Sequence, residues 1–225
     1  MKLTLQAIYL FTLLGCNSQQ SIGGQQNTRI LQAAADPVPE CIPRDTVTRT
    51  GIEIHYLYDN ENYQISWGNA GFHRTYDSLY TCSRDTFGGI WDFIPKLESE
   101  TATRLIFKNV LSTSGGANPA PIEFTAIILP KNATDPALEV PFYIDCIGNY
   151  LLYAEPFTTD TLYLMNVETN NIQEIILDPP AFVGRTITFA LHHIRIKNGQ
   201  LRFEYDALRE DFEVYKKRME VKIRA

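Results

Sequence analysis

The sequence predicts an all-β domain, an antiparallel β-sandwich, on three observations. Short runs rich in Val, Ile, Thr, Tyr and Phe recur between Gly, Pro, Asn and Asp punctuation from Gly51 to the end. Several of these runs alternate apolar with polar residues, the period of a half-buried strand. No strand–helix–strand alternation occurs, which disfavours a parallel doubly wound sheet. A barrel-like closed sheet is the alternative, because it is built from the same short antiparallel strands.

The elements follow in order. "IEIHYLY" (52–58) alternates and runs into Asp59-Asn60, a turn pair, before "YQISW" (63–67), so 52–67 reads as a hairpin. "TRLIFKNV" (103–110), "PIEFTAIIL" (121–129) and "PFYIDCI" (141–147) are further strands. Gly148-Asn149 turns the chain into "YLLYA" (150–154). "TLYLMNV" (161–167) and "IQEIIL" (172–177) flank the polar turn "ETNN". Between "RTITFALHHIRI" (185–196) and "QLRFEY" (200–205) lies Asn198-Gly199, a pair suited to a type I′ turn because both residues accept positive φ. Near the C-terminus, Leu208, Phe212, Tyr215 and Met219 share one helical face, while Met219, Val221 and Ile223 alternate as a strand. The strand-rich surroundings favour a short helix or irregular turn near 207–212, followed by a strand.

Residues 148–177 resemble a single β-propeller blade, with Asp160-Thr161-Leu162-Tyr163 leading the inner hairpin. A propeller needs at least about four blades of roughly 40 residues. The sequence shows no second copy, so an ordinary pair of hairpins is the simpler reading.

The first forty residues differ in character. Met1-Lys2 precedes a mostly apolar run, Leu3 to Leu14, which is shorter than the roughly 20 residues a membrane-spanning helix needs. It fits the apolar centre of a secretory signal. The boundary Leu13-Leu14-Gly15-Cys16 resembles the lipobox of bacterial lipoproteins. That resemblance implies cleavage before Cys16, acylation of its thiol, and attachment to a membrane of the cell envelope. Asn17 stands where an aspartate commonly retains such proteins at the inner membrane, so the outer membrane is favoured. Residues 16–40, rich in Gln, Ser and Gly, read as the lipidated cysteine and a flexible tether. The expected organisation is a signal peptide over 1–15, a tether over 16–40 and one β-rich domain over 41–225.

Composition narrows the function. The net charge of −6 disfavours nucleic acid, whose binders need a basic face. An apolar share of 44% suffices for a core. The basic residues Lys216, Lys217, Arg218, Lys222 and Arg224 cluster at the C-terminus, as on a charged edge strand that resists edge pairing. Acylation of Cys16 leaves Cys41, Cys82 and Cys146, enough for one disulfide and one free thiol in an oxidising compartment.

No hydrolase elbow, zinc-protease motif, phosphate loop or Cys-x-x-Cys occurs. His192 and His193 are neighbours on a strand and face opposite ways, so no metal is expected there. Trp67 and Trp91 are candidates for an aromatic platform that stacks on sugar rings. Ser112, Ser114 and Asn118 tip a long polar loop, a candidate binding loop. Thr46, Ser78 and Thr161 each follow an aspartate and precede an apolar residue. These triplets resemble the O-glycosylation motif of certain Gram-negative bacteria. The expectation is a membrane-anchored binding or assembly module, non-catalytic and without cofactor, for a glycan or an envelope protein. The alternatives are an envelope hydrolase with a site scattered in sequence, and a purely structural subunit.

Overall fold

The computed structural model describes residues 42–59, 62–78, 82–84, 90–92, 94–111, 123–155, 158–182 and 187–224. The chain is all-β and antiparallel, as expected, and no described sheet closes into a barrel. Four sheets follow one another along the sequence, and each is an up-and-down meander. Sheet I holds β1 (Thr46–Val47), β2 (Glu53–Asp59), β3 (Asn62–Asn69) and β4 (Phe72–Ser78). Sheet II holds β7 (Lys96–Glu100), β8 (Arg104–Leu111), β9 (Glu123–Pro130) and β10 (Leu138–Pro141). Sheet III holds β11 (Tyr143–Ile147), β12 (Tyr150–Ala154), β13 (Thr161–Asn166) and β14 (Ile172–Ile176). Sheet IV holds β15 (Leu191–Lys197), β16 (Gln200–Leu208) and β17 (Val214–Lys222). A small hairpin, β5 (Cys82–Arg84) with β6 (Ile90–Asp92), lies between the first two in sequence.

The sheets stack face to face in chain order, so the sandwich has four layers rather than two. Ile54, Ile65 and Trp67 of sheet I pack on Leu105, Phe107, Ile127 and Leu129 of sheet II. The other face of sheet II, Ile106, Ala126 and Ile128, packs on Tyr143, Leu151 and Met165 of sheet III. The opposite face of sheet III, Leu152, Leu162 and Leu164, meets Leu201, Phe203 and Tyr205 of sheet IV. Strand pleating explains the division, since neighbours on a strand point to opposite faces. Leu105, Ile106 and Phe107 are therefore all 0% exposed, the first and third covered by sheet I and the second by sheet III.

Burial on both faces explains the unbroken apolar runs of β8 and β9, which a one-sided sheet does not need. The end sheets instead alternate. β16 is buried at every second residue. The outer face of sheet I carries Glu53, His55, Gln64, Ser66, His73 and Asp77. Polar outer faces on the two end layers keep a stacked array soluble.

Segment 148–177 supplies β12, β13 and β14, and with β11 it forms one meander among four. Among the described residues three such four-stranded meanders and one three-stranded meander occur, although no repeat is visible in sequence. The Asn198-Gly199 turn takes φ values of 52° and 70°, as a type I′ turn requires. No helix forms near 207–212: β16 runs on to Leu208, and a turn with Phe212 at φ 65° leads into β17. The one helical piece among the described residues is the single turn Ile187–Ala190, in a run expected to be strand throughout. The sequence does not predict β1, β4, β5, β6, β7 or β10.

Candidate functional site

The sequence candidates scatter. Trp67 is 1% exposed and lies in the core between sheets I and II. Its indole N–H donates to the Pro130 carbonyl at 2.7 Å, and the Arg74 guanidinium covers its ring at 5.3 Å. It is a packing residue, which corrects the expectation of a sugar platform there. Trp91 sits on β6 opposite Ser83. Ser112, Ser114 and Asn118, with Cys16 and Cys41, lie outside the described residues. Thr46 is exposed on β1 and Ser78 ends β4. Thr161 donates its hydroxyl to Asp160 Oδ1 at 3.0 Å.

Cys146 carries a free thiol. It is half-buried between β7 and β11, 3.4 Å from Ser99 Oγ. Burial pushes its pKa up, and Glu98 and Asp145 add to that. A thiol held protonated is a poor nucleophile.

Two side-chain pairs involving histidine stand on the outer face of sheet I. His55 Nδ1 lies 2.8 Å from Asp45 Oδ2, which raises the histidine pKa. Ser66 Oγ lies 2.9 Å from His73 Nε2. These are two separate pairs, Asp–His and Ser–His, on an open sheet face. A nucleophile–base–orienter chain needs all three roles in one line. Among the described residues no group of three or more His, Cys, Asp or Glu is placed to hold a metal ion. The neighbouring histidines do not face opposite ways as a regular strand would require, because a β-bulge between His192 and Arg195, with His193 at φ 53°, turns both toward the outer face of sheet IV. His192 is half-buried and bonded to Asp206 at 3.1 Å, and His193 is exposed.

An open apolar groove lies between sheets II and III. Strand β10, the edge of sheet II, covers only part of the facing sheet. Leu138, Val140 and Pro141 form one wall of a groove of about 380 Å³, and Tyr153, Met165 and Ile172 form its floor. Beyond β10 the same face of sheet III continues uncovered. The register places Met165 opposite Ile172, Tyr163 opposite Glu174, and Thr161 opposite Ile176. Ile172 and Ile176 are 57% and 54% exposed, unusual for branched aliphatics in a strand whose opposite face enters the core through Ile175. Tyr153 and Tyr163 are cross-strand partners whose rings stack at 5.3 Å and 24°. Asn170, at φ 60° in the β13–β14 turn, closes one end.

The rim is acidic. Glu139, Glu155 and Glu174 are all exposed around the groove. Burial raises the Tyr153 pKa, and Glu155 adds to it. The same causes, joined by Glu174, raise that of Tyr163. The Glu139 carboxylate accepts a hydrogen bond from the Tyr76 hydroxyl of sheet I. β10 itself is short, bears Glu139 and ends in Pro141, features that discourage pairing of another strand along its edge. The groove thus offers side-chain burial and negative charge.

Comparison with protein-family models, with curated proteins and with solved structures finds no match. None of the groove residues was singled out in sequence. The available signal was Ile172 and Ile176 flanking Glu174 on an outermost strand, a two-residue period with apolar residues on a face that the neighbouring sheet is too narrow to cover.

Proposed function

We propose that this chain is a non-catalytic binding or assembly module of the bacterial envelope, tethered through a lipid on Cys16, that docks a protein partner in the groove between β10 and sheet III. The observation that carries the docking is the uncovered aliphatic face of β14 beside the tyrosine pair. Exposed apolar patches rimmed by polar residues mark interaction sites. A protein partner is favoured over a glycan because the available surface is branched aliphatic, and the two tyrosines stack on each other. Burying the exposed halves of Ile172 and Ile176 contributes on the order of 1 kcal/mol each. The acidic rim selects a segment that brings an apolar anchor flanked by Lys or Arg.

The test is site-specific photo-crosslinking in the native envelope. A photoreactive residue at position 172 is expected to give one discrete protease-sensitive adduct. The same residue at 197, on the far face of the stack, is expected to give none. Adducts identical at both positions, or none at 172, would refute the docking site. A protease-resistant adduct cleaved by glycosidases would replace the protein partner by a glycan.

A further inference from the structure

The outer face of sheet IV carries a second, chemically opposite feature. Arg195, Lys197, Arg202, Lys216, Arg218 and Lys222 point outward, as the register and the alternating exposure require. Glu204, Asp206 and Glu220 share that face. Six cations less three carboxylates leave three positive charges on one sheet face, in a chain whose net charge is −6.

The ion pairs on this face are selective. Glu204 takes Arg218 at 2.8 Å, and Glu220 takes Arg202 at 3.1 Å. Arg195 has no carboxylate partner among the described residues, and it stands directly opposite Arg202 in the β15–β16 register. Like charges at opposed strand positions destabilise a sheet unless something neutralises them. The strand is also bent at this point. A β-bulge lies between His192 and Arg195, with His193 at φ 53°. Such bulges re-aim a side chain, and positive φ at a non-glycine residue is a strained arrangement found at functional positions. Here the bulge brings exposed His193 beside Arg195, and the two line a cavity of about 360 Å³ with Arg202 and Arg218 and with Glu220 and Glu204, the carboxylates that pair those two arginines.

We propose that this cavity binds a phosphate-bearing ligand, with the phosphate clamped between Arg195 and Arg202, and His193 and Arg218 on its rim. Glu220 and Glu204 offset Arg202 and Arg218 and leave the Arg195 fork as the uncompensated cation of the cavity; a phosphate group offers three or more oxygens, enough for that planar fork and for the N–H groups its neighbours have left over. The anion also relieves the opposed arginines. The site faces away from the apolar groove and does not depend on it.

The test is calorimetric titration of the full chain with inorganic pyrophosphate at low ionic strength. A parallel titration uses phosphatidylcholine vesicles with and without phosphatidic acid. Saturable binding is expected with one or both probes. Arg195→Gln is expected to weaken it at least about tenfold, the loss of one charge-assisted contact. Because Arg195 has no internal partner, that variant should unfold at the wild-type temperature. Lys222→Gln, on the same face outside the cavity, should change affinity by less than about twofold. Pyrophosphate binding lost in Arg195→Gln supports a soluble phosphate ester. Binding only to acidic vesicles, with the same loss, places the phosphate on a lipid headgroup. No binding to either probe, or equal weakening by Lys222→Gln and Arg195→Gln, would overturn the site.

Discussion

Replacing Glu100 by Gln isolates a charge that ties sheet I to sheet II. Glu100 ends β7, and its carboxylate accepts bonds from the backbone N–H of Arg49 at 3.1 Å and of Thr50 at 3.3 Å. The Thr50 hydroxyl also donates to it. Lys131, just after β9, pairs with it at 2.6 Å, and the two side chains are only 6% and 13% exposed. Burial opposes the charged form, but the bonds from Lys131 and Thr50 prevail and lower the pKa from 4.5 to about 2. At about 1.4 kcal/mol per decade that gap corresponds to about 3 kcal/mol, and solvent screening at the sheet end reduces it to about 1–2 kcal/mol. A depressed folded-state pKa contributes stability above the unfolded value and loses it as pH falls toward the folded one. The wild type should therefore exceed Glu100→Gln in stability by about 1–2 kcal/mol at pH 7, and the difference should shrink from pH 4.5 downward and vanish near pH 2. Urea unfolding at pH 7, 5, 4 and 3 measures it. A difference that stays constant over this range would show that neutral hydrogen bonding, not charge, makes the contribution.

Gly68→Ala should destabilise sheet I by about 1–3 kcal/mol in the same assay, because a Cβ there would meet the Phe72 carbonyl oxygen at 2.3 Å and His73 Cα at 2.9 Å. Alkylation of Cys146 by iodoacetamide at pH 7 should be slow in the folded protein and fast in urea, since burial raises its pKa; equal rates would refute the buried setting. The intact mass of the protein from its native membrane should fit a chain beginning at Cys16 plus acyl groups, and a cut elsewhere would remove the anchor.

Hairpin signals were legible because they are local. Asn198-Gly199 and the flanking alternation of β16 specify turn, register and buried face within about fifteen residues. β4 was not legible: its buried face is Phe72, Arg74 and Tyr76, and an arginine that packs over Trp67 reads as polar in any pattern. The four-layer stack was half written in the sequence. Unbroken runs such as "AIIL" (126–129) and "RLIF" (104–107) state that a strand is covered twice, but not by what. Trp67 shows the limit for sites, because aromatic side chains at strand positions serve core and platform alike, and only the neighbouring sheet decides between them. The groove and the opposed arginines depend on how far one strand extends past another, a property of tertiary register that no single segment encodes.

Each layer of the stack comes from one uninterrupted stretch of chain, and among the described residues each interior layer packs its core faces on its predecessor and its successor. Mechanically, the molecule resembles a pile of cards joined at their corners. A pull applied through the chain ends loads sheets I and IV first, and each of these is held by one interface where II and III are held by two. Layers should therefore peel from the outside inward, and the leaving sheet need not unthread any other. Under the proposed anchoring through Cys16, sheet I is the layer that takes the load, and the Glu100–Lys131 and Trp67–Pro130 contacts are the rivets that hold it.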